Sequence, residues 1–135
     1  MSEKVFNADD KTLPEVTAFT EEALEAANCP IKSIMQITVA IEEVFVNVAH
    51  YAYPKGNGTV SISIDFEPDK RIISFCMKDR GIPFNPLEKP DPDITLPSEE
   101  RQIGGLGIYM MKKTMDEVHY AYENGENILT MIKKV

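Results

Sequence analysis

The chain has no tryptophan, two cysteines, two histidines and no long apolar run, and each shortage closes off a class of function. Cys29 and Cys76 stand far apart and outside any Cys-x-x-Cys arrangement, so they read as reduced structural thiols rather than a redox or zinc centre. His50 and His119 are too few and too scattered to complete a zinc site. No stretch approaches the roughly 20 apolar residues that span a bilayer, and Met1-Ser2-Glu3-Lys4-Val5-Phe6-Asn7 lacks the apolar centre of a signal peptide. The expectation is a cytoplasmic protein with no membrane role. Basic clusters are absent too. Lys and Arg number 14 against 22 Asp and Glu, and the net charge of −8 repels a polyphosphate backbone, which argues against direct nucleic-acid binding. An anionic nucleotide would need local help from a metal ion and helix-terminal amides.

What is present suits one globular domain over 1–135: 43% hydrophobic and 27% charged residues, with enough chain to bury a core unaided. Asp10 to Asn28 reads as a helix, with capping-box spacing in Thr12-Leu13-Pro14-Glu15 and apolar residues at helical intervals. A second helix is expected from about Ile31 to Tyr53, stopped by Pro54 and Lys55-Gly56-Asn57-Gly58. Thr59 to Phe66 and Arg71 to Asp79 alternate as two strands about the turn Glu67-Pro68-Asp69-Lys70. Five prolines between Gly81 and Gly104 mark a long loop, a lid over about 82–104. A third helix runs from near Gly105 to about Met115. The chain closes with a hairpin, Glu117 to Glu123 and Glu126 to Lys133, about Asn124-Gly125.

On the second helix, Ile34, Ile37, Ile41, Val44, Phe45 and Val48 share one broad face that must pack on a sheet. Gln36, Glu43, Asn47 and His50 share another, with Val39 and Val46 flanking it, so burial on more than one side is expected. Glu43 and Asn47 are one turn apart and therefore neighbours. A polar stripe of this kind also suits an ordinary solvated helix face. Its chemical reading is that an Asn carbonyl suits a hard divalent cation, while a carboxylate one turn away can orient or deprotonate a hydroxyl.

Two glycine motifs follow. Asp79-Arg80-Gly81-Ile82-Pro83-Phe84 comes at the end of a strand, and Gly104-Gly105-Leu106-Gly107-Ile108 opens an apolar helix, where free amides face an anion. Singly, each is also a common turn or helix start. The Gly-Lys-Ser or Gly-Lys-Thr of a phosphate-binding loop is missing, and the second motif does not follow a strand as a dinucleotide fingerprint requires.

In order, Glu43-x-x-x-Asn47, Asp79-x-Gly81-x-Pro83-Phe84 and Gly104-Gly105-Leu106-Gly107-Ile108 resemble the N, G1 and G2 boxes of the GHKL ATPase and kinase superfamily. The chain is most similar to its bacterial anti-sigma-factor serine kinases, from roughly Thr12 to the carboxyl terminus. The resemblance implies an α/β two-layer sandwich, with a mixed, mainly antiparallel sheet of about five strands covered on one face by three helices. ATP would lie between the helices and the lid.

By the same resemblance Asn47 ligates magnesium, Glu43 acts as general base, Asp79 accepts a hydrogen bond from the adenine amino group and Gly81 lets the base approach. Gly105 and Gly107 cradle phosphate. Pro83, Phe84, Gly104 and Leu106 join the nucleotide site as members of the same boxes, and His50 as a basic group within reach of phosphate. Relatives carry His-Ala-Tyr where Tyr51-Ala52-Tyr53 follows His50 here, and Arg101 lies near the kinases' lid arginine without matching its spacing. The implied activity is ATP-dependent serine/threonine phosphorylation of a small anti-sigma-factor antagonist, with a sigma factor as second client and a homodimer as the working form. The alternative is a nucleotide-gated protein-binding module with little or no kinase activity.

Overall fold

The computed structural model describes residues 2–88 and 105–135, and of Gly105 and Leu106 the backbone alone. Five strands form one sheet: β1 (Ser2–Asn7), β2 (Thr59–Glu67), β3 (Ile72–Asp79), β4 (Glu117–Glu123) and β5 (Glu126–Lys134), in the order β1-β2-β3-β5-β4. Three helices accompany it: α1 (Leu13–Ala26), α2 (Ile31–Tyr51) and α3 (Gly105–Thr114). Every described pairing is antiparallel, so the expected mixed sheet has no parallel component among the described residues.

Alternation along the strands fixes the buried face. Val60, Ile62 and Ile64 of β2, Ile73, Phe75 and Met77 of β3, and Leu129 and Met131 of β5 point into the core, while Ser61, Ser63, Ser74, Cys76 and Thr130 lie half-exposed on the other face. Against this layer α2 buries Ile37, Ile41, Val44, Phe45 and Val48, α1 adds Val16 and Leu24, and α3 adds Ile108 and Met111. Phe6 carries β1 into the same core, edge-on to both Phe19 and Phe45 at 5.6 and 6.4 Å between ring centres. The β4–β5 turn uses Asn124 and Gly125 at φ 53° and 77°, the left-handed pair that matches the twist of a two-residue hairpin.

Four details depart from the sequence reading. β1 has no counterpart in it, because an edge strand with only Phe6 buried displays no alternation to read. Thr12 makes no capping hydrogen bond. A short 3-10 turn, Asp10–Thr12, precedes α1 instead, and the Asp9 carboxylate caps that turn at Lys11 N, 2.9 Å away. The second helix ends at Tyr51, not Tyr53, because the Tyr53 hydroxyl is drawn to the sheet: it donates to Thr59 O at 2.8 Å and accepts from Arg80 N at 2.9 Å. Val39 is 54% exposed, so the amino-terminal half of α2 is buried on one side only. Among the described residues no helix is long and apolar enough to cross a membrane.

Candidate functional site

The apolar alternation of β3 runs Ile73, Phe75, Met77 and then meets Asp79 on the same inward face. The strand therefore delivers a carboxylate, 4% exposed, into the edge of the core. Two donors reach its Oδ1: the Gly81 N–H at 2.9 Å, closing a local turn, and the Asn127 side-chain Nδ2 at 2.8 Å. No donor among the described residues reaches Oδ2. Burial pushes the Asp79 carboxyl above its ordinary value, the bonds from Asn127 and Gly81 pull it back down, and the nearby Glu126 charge adds a smaller upward push. Asp79 is thus a desolvated acceptor held in one orientation, with one oxygen uncommitted among the described residues.

Gly81 is required by a close approach. A Cβ on it would fall 2.3 Å from the Ala52 carbonyl oxygen, a backbone atom that cannot step aside, and the next residue donates from Ile82 N to that same oxygen at 2.9 Å. The turn after β3 is in this way stapled to the carboxyl end of α2. Beyond it, Phe84 stacks on Tyr51 with ring centres 5.3 Å apart, and Pro83 and Phe84 line a cavity of about 390 Å³ with Tyr51 and Asn85.

One and a half turns back along α2 lies the polar pair. Asn47 is 3% exposed, and its Nδ2 donates to the Glu43 backbone carbonyl at 2.7 Å and to Glu43 Oε1 at 3.1 Å, as residues four apart on one helix face allow. Of the two amide atoms of Asn47, the oxygen is the one that suits a hard cation. The start of α3 packs directly on this pair: a Cβ at Gly107 would come within 2.0 Å of Glu43 Cγ, so only glycine lets the two helices meet there. From Asn47 to Ala52 is about 7.5 Å along the helix axis, at 1.5 Å per residue. The acidic-amide pair and the buried carboxylate therefore serve one stretch of α2.

Magnesium binds hard oxygens in an octahedral shell and commonly takes only one or two protein ligands, the rest coming from water and phosphate. The described residues contain no cluster of three metal-ligating side chains, and a single Asn oxygen beside Glu43 fits a metal that arrives with its phosphates. Asn47 would hold such an ion.

Of the residues singled out from the sequence, Glu43, Asn47 and Gly107 are brought together, as are Asp79, Gly81 and the 82–84 segment. His50 is not among them. Its Nε2 lies 2.8 and 2.9 Å from the Asp10 carboxylate oxygens, its side chain is 53% exposed, and with Asn7, Asp9 and Asn57 it lines a cavity of about 650 Å³ that includes neither Asn47 nor Asp79. The reason is the partner: His50 shares a helix face with Glu43 and Asn47, but a carboxylate on the turn before α1 already holds the imidazole. Gly104, Arg101 and the 89–104 part of the expected lid lie outside the described residues, as does the side chain of Leu106. Asn127 is the residue that sequence reading passed over. Its signal was available, since it is a polar side chain in phase with the buried Leu129 and Met131 of β5.

Known proteins resemble this chain. A family model described as the histidine kinase-like ATPase domain matches residues 6–133. The serine-protein kinase RsbW of Bacillus licheniformis is 28% identical over 101 residues, covering 70% of this chain and 62% of that protein. RsbW of Bacillus cereus strain AH187 is 28% identical over 100 residues, covering 71% and 61%. The chain thus spans less than two thirds of the length of these curated relatives. Among solved structures, the histidine kinase domain of the Erythrobacter litoralis EL346 blue-light activated histidine kinase superposes with a TM-score of 0.56 at 12% identity, over 88% of this chain and 60% of that one, which shows a shared fold. With the family model reaching from β1 into β5, the chain belongs to the histidine kinase-like ATPase domain family.

Proposed function

We propose that this chain is a single ATP-binding domain that acts as a serine/threonine protein kinase of the anti-sigma-factor type, phosphorylating a small antagonist protein in a partner-switching system. The observation that carries the reading is Asp79: a buried carboxylate at a strand end that accepts two hydrogen bonds at Oδ1 and offers Oδ2, on a turn that Gly81 seats against Ala52. Such an acceptor suits the exocyclic amino group of adenine and repels a carbonyl in the same place. Gly105 and Gly107 at the start of α3 would turn helix-terminal amides toward the phosphates, and Asn47 would hold magnesium through its oxygen.

Magnesium held by Asn47 would supply positive charge to offset that of the phosphates. The chain's own part is positional. Glu43, fixed by its bond from Asn47, accepts the proton of the partner's hydroxyl as that oxygen bonds to the γ-phosphorus and the bridging P–O bond breaks, ADP leaving with the electron pair. The RsbW relatives, named serine-protein kinases, support this reaction class, and the family resemblance supports the antagonist as substrate, a sigma factor as second client, a homodimer as the working form and the cytoplasm as its place. Incubating the purified chain with γ-labelled ATP, magnesium and candidate antagonist proteins tests the reading. Label on a serine or threonine of one of them is the expected result. A chain that binds ATP and its partner yet transfers no label is the nucleotide-gated binding module instead.

A further inference from the structure

Asn127 stands directly across from Asp79 in the β3–β5 ladder, 4% exposed. Its orientation is fixed by what surrounds it. Two acceptors face Nδ2, namely Asp79 Oδ1 at 2.8 Å and the Ile82 carbonyl at 2.9 Å. Two donors face Oδ1, the Phe84 N–H at 2.9 Å and the Tyr120 hydroxyl at 2.5 Å. Turning the amide over would set acceptor against acceptor and donor against donor, and as it stands both of its N–H groups and both of its lone pairs are used.

A carboxylate at a strand end can turn about its last bond and offer either oxygen. Here turning would break two charge-assisted bonds, of which the one from Gly81 is local and the one from Asn127 comes from across the sheet. We infer that Asn127 is the positioning residue for base selectivity: it fixes Asp79 so that Oδ2 alone is presented to an amino group, and with the same amide it pins the backbone of residues 82–84. The inference rests on the reading of Asp79 as the base acceptor. It adds the residue that makes that acceptor directional and joins it to the segment leaving the site.

Among the described residues, the charged and titratable groups around the pair are Glu126 on β5, Tyr120 and Tyr122 on β4, Tyr53 after α2, Arg80 after β3 and Glu88 beyond the 82–84 segment. Burial, first among its causes, holds the Tyr53 and Tyr120 phenols above their ordinary value, so they stay protonated through neutral pH. That leaves a clear reading for Asn127→Asp. The substitution is nearly isosteric, and the introduced carboxyl can donate to Asp79 only while the pair shares a proton.

The test is calorimetric titration of the full chain with magnesium-ATP and with purine riboside triphosphate, the analogue lacking the 6-amino group. Wild type should prefer ATP by about tenfold or more, with little change between about pH 5.5 and pH 8, the scale of one hydrogen bond to a charged group. Asn127→Asp should keep that preference near about pH 5.5 and lose most of it by about pH 8, as the shared proton leaves. Asn127→Leu, with no donor at any pH, should lack the preference throughout. Affinity for the analogue is the internal control, because misfolding lowers both ligands together. A wild type that does not discriminate overturns the Asp79 reading and this inference with it. A discriminating wild type whose Asn127 variants discriminate equally at every pH, or lose both ligands in parallel, leaves Asp79 in place and overturns the role of Asn127.

Discussion

The two ends of the candidate site are built by different means. At the β3 end, Asp79 is fixed by hydrogen bonds: Gly81 N–H and Asn127 Nδ2 hold Oδ1, and Asn127 is itself saturated by Ile82, Phe84 and Tyr120. At the α2–α3 end, Glu43 and Asn47 share two bonds within one helix, and the opposing element meets them through a glycine. Recognition of a flat base with fixed donors and acceptors calls for the first kind of construction. A phosphate chain that must enter with its metal, react and leave is served by the second, where a glycine lets one helix start pack closely on another.

The largest break between the two ends should come from Glu43→Gln. This change keeps the shape and an acceptor for Asn47 but removes the base, so phosphoryl transfer should fall about 10²-fold or more while ATP affinity stays within a few fold. Quench-flow or steady-state transfer beside calorimetry separates the two quantities, and parallel losses in both would assign Glu43 to binding rather than chemistry. Next is Gly81→Ala, which drives a methyl group into the Ala52 carbonyl and breaks the staple from Ile82 N. Chemical denaturation should show a loss of about 1 to 3 kcal/mol, the usual range for overpacking a fixed backbone. An unchanged midpoint would mean that the turn after β3 is free to move off α2.

The smallest and most specific effect concerns Asp79→Asn measured without nucleotide. The folded-state value of this carboxyl lies above its ordinary one, chiefly through burial, so folding disfavours the charged form and the native state is relatively more stable below the ordinary carboxylate range. That relative gain is lost as pH rises through the folded value. The amide keeps an oxygen for Gly81 and Asn127 but carries no charge, so the variant should melt higher than wild type near neutrality, and the difference should close as pH falls through the ordinary carboxylate range. Melting curves across pH check this. A variant less stable than wild type at neutral pH would show that the ionised carboxylate holds the β3–β5 edge together.

Much of the fold was legible because its signals are local. The apolar stripe of α2, the alternation of β2, β3 and β5, and the Asn124-Gly125 turn each announce themselves within a few residues. What escaped depends on partners distant in the chain. β1 is specified by pairing with β2, 59 to 64 along, and not by its own pattern. Thr12 has the spacing of a cap but sits in a helical conformation, with Asp9 serving the turn before it. In the candidate site, the adjacency of Glu43 and Asn47 follows from helical periodicity and the place of Asp79 and Gly81 from a strand ending in a turn, while their roles come from the resemblance of the three ordered motifs. Asn127 follows from none of these, since its partners are gathered from 79, 82, 84 and 120 by the sheet. A polar residue in phase with a buried strand face is the mark it left in the sequence, and His50 shows the converse, a chemically suggestive residue whose partner, Asp10, lies elsewhere.

The central claim is that Oδ2 of Asp79 receives the adenine amino group. Titrating magnesium-ATP and magnesium-GTP into wild type and Asp79→Asn tests it directly, with the folded state of both proteins checked beforehand. The account predicts that wild type prefers ATP by about tenfold or more and that the variant loses most of that preference, because an amide can present a donor where the carboxylate offered only acceptors. A folded Asp79→Asn protein that still prefers ATP as strongly as wild type would contradict it.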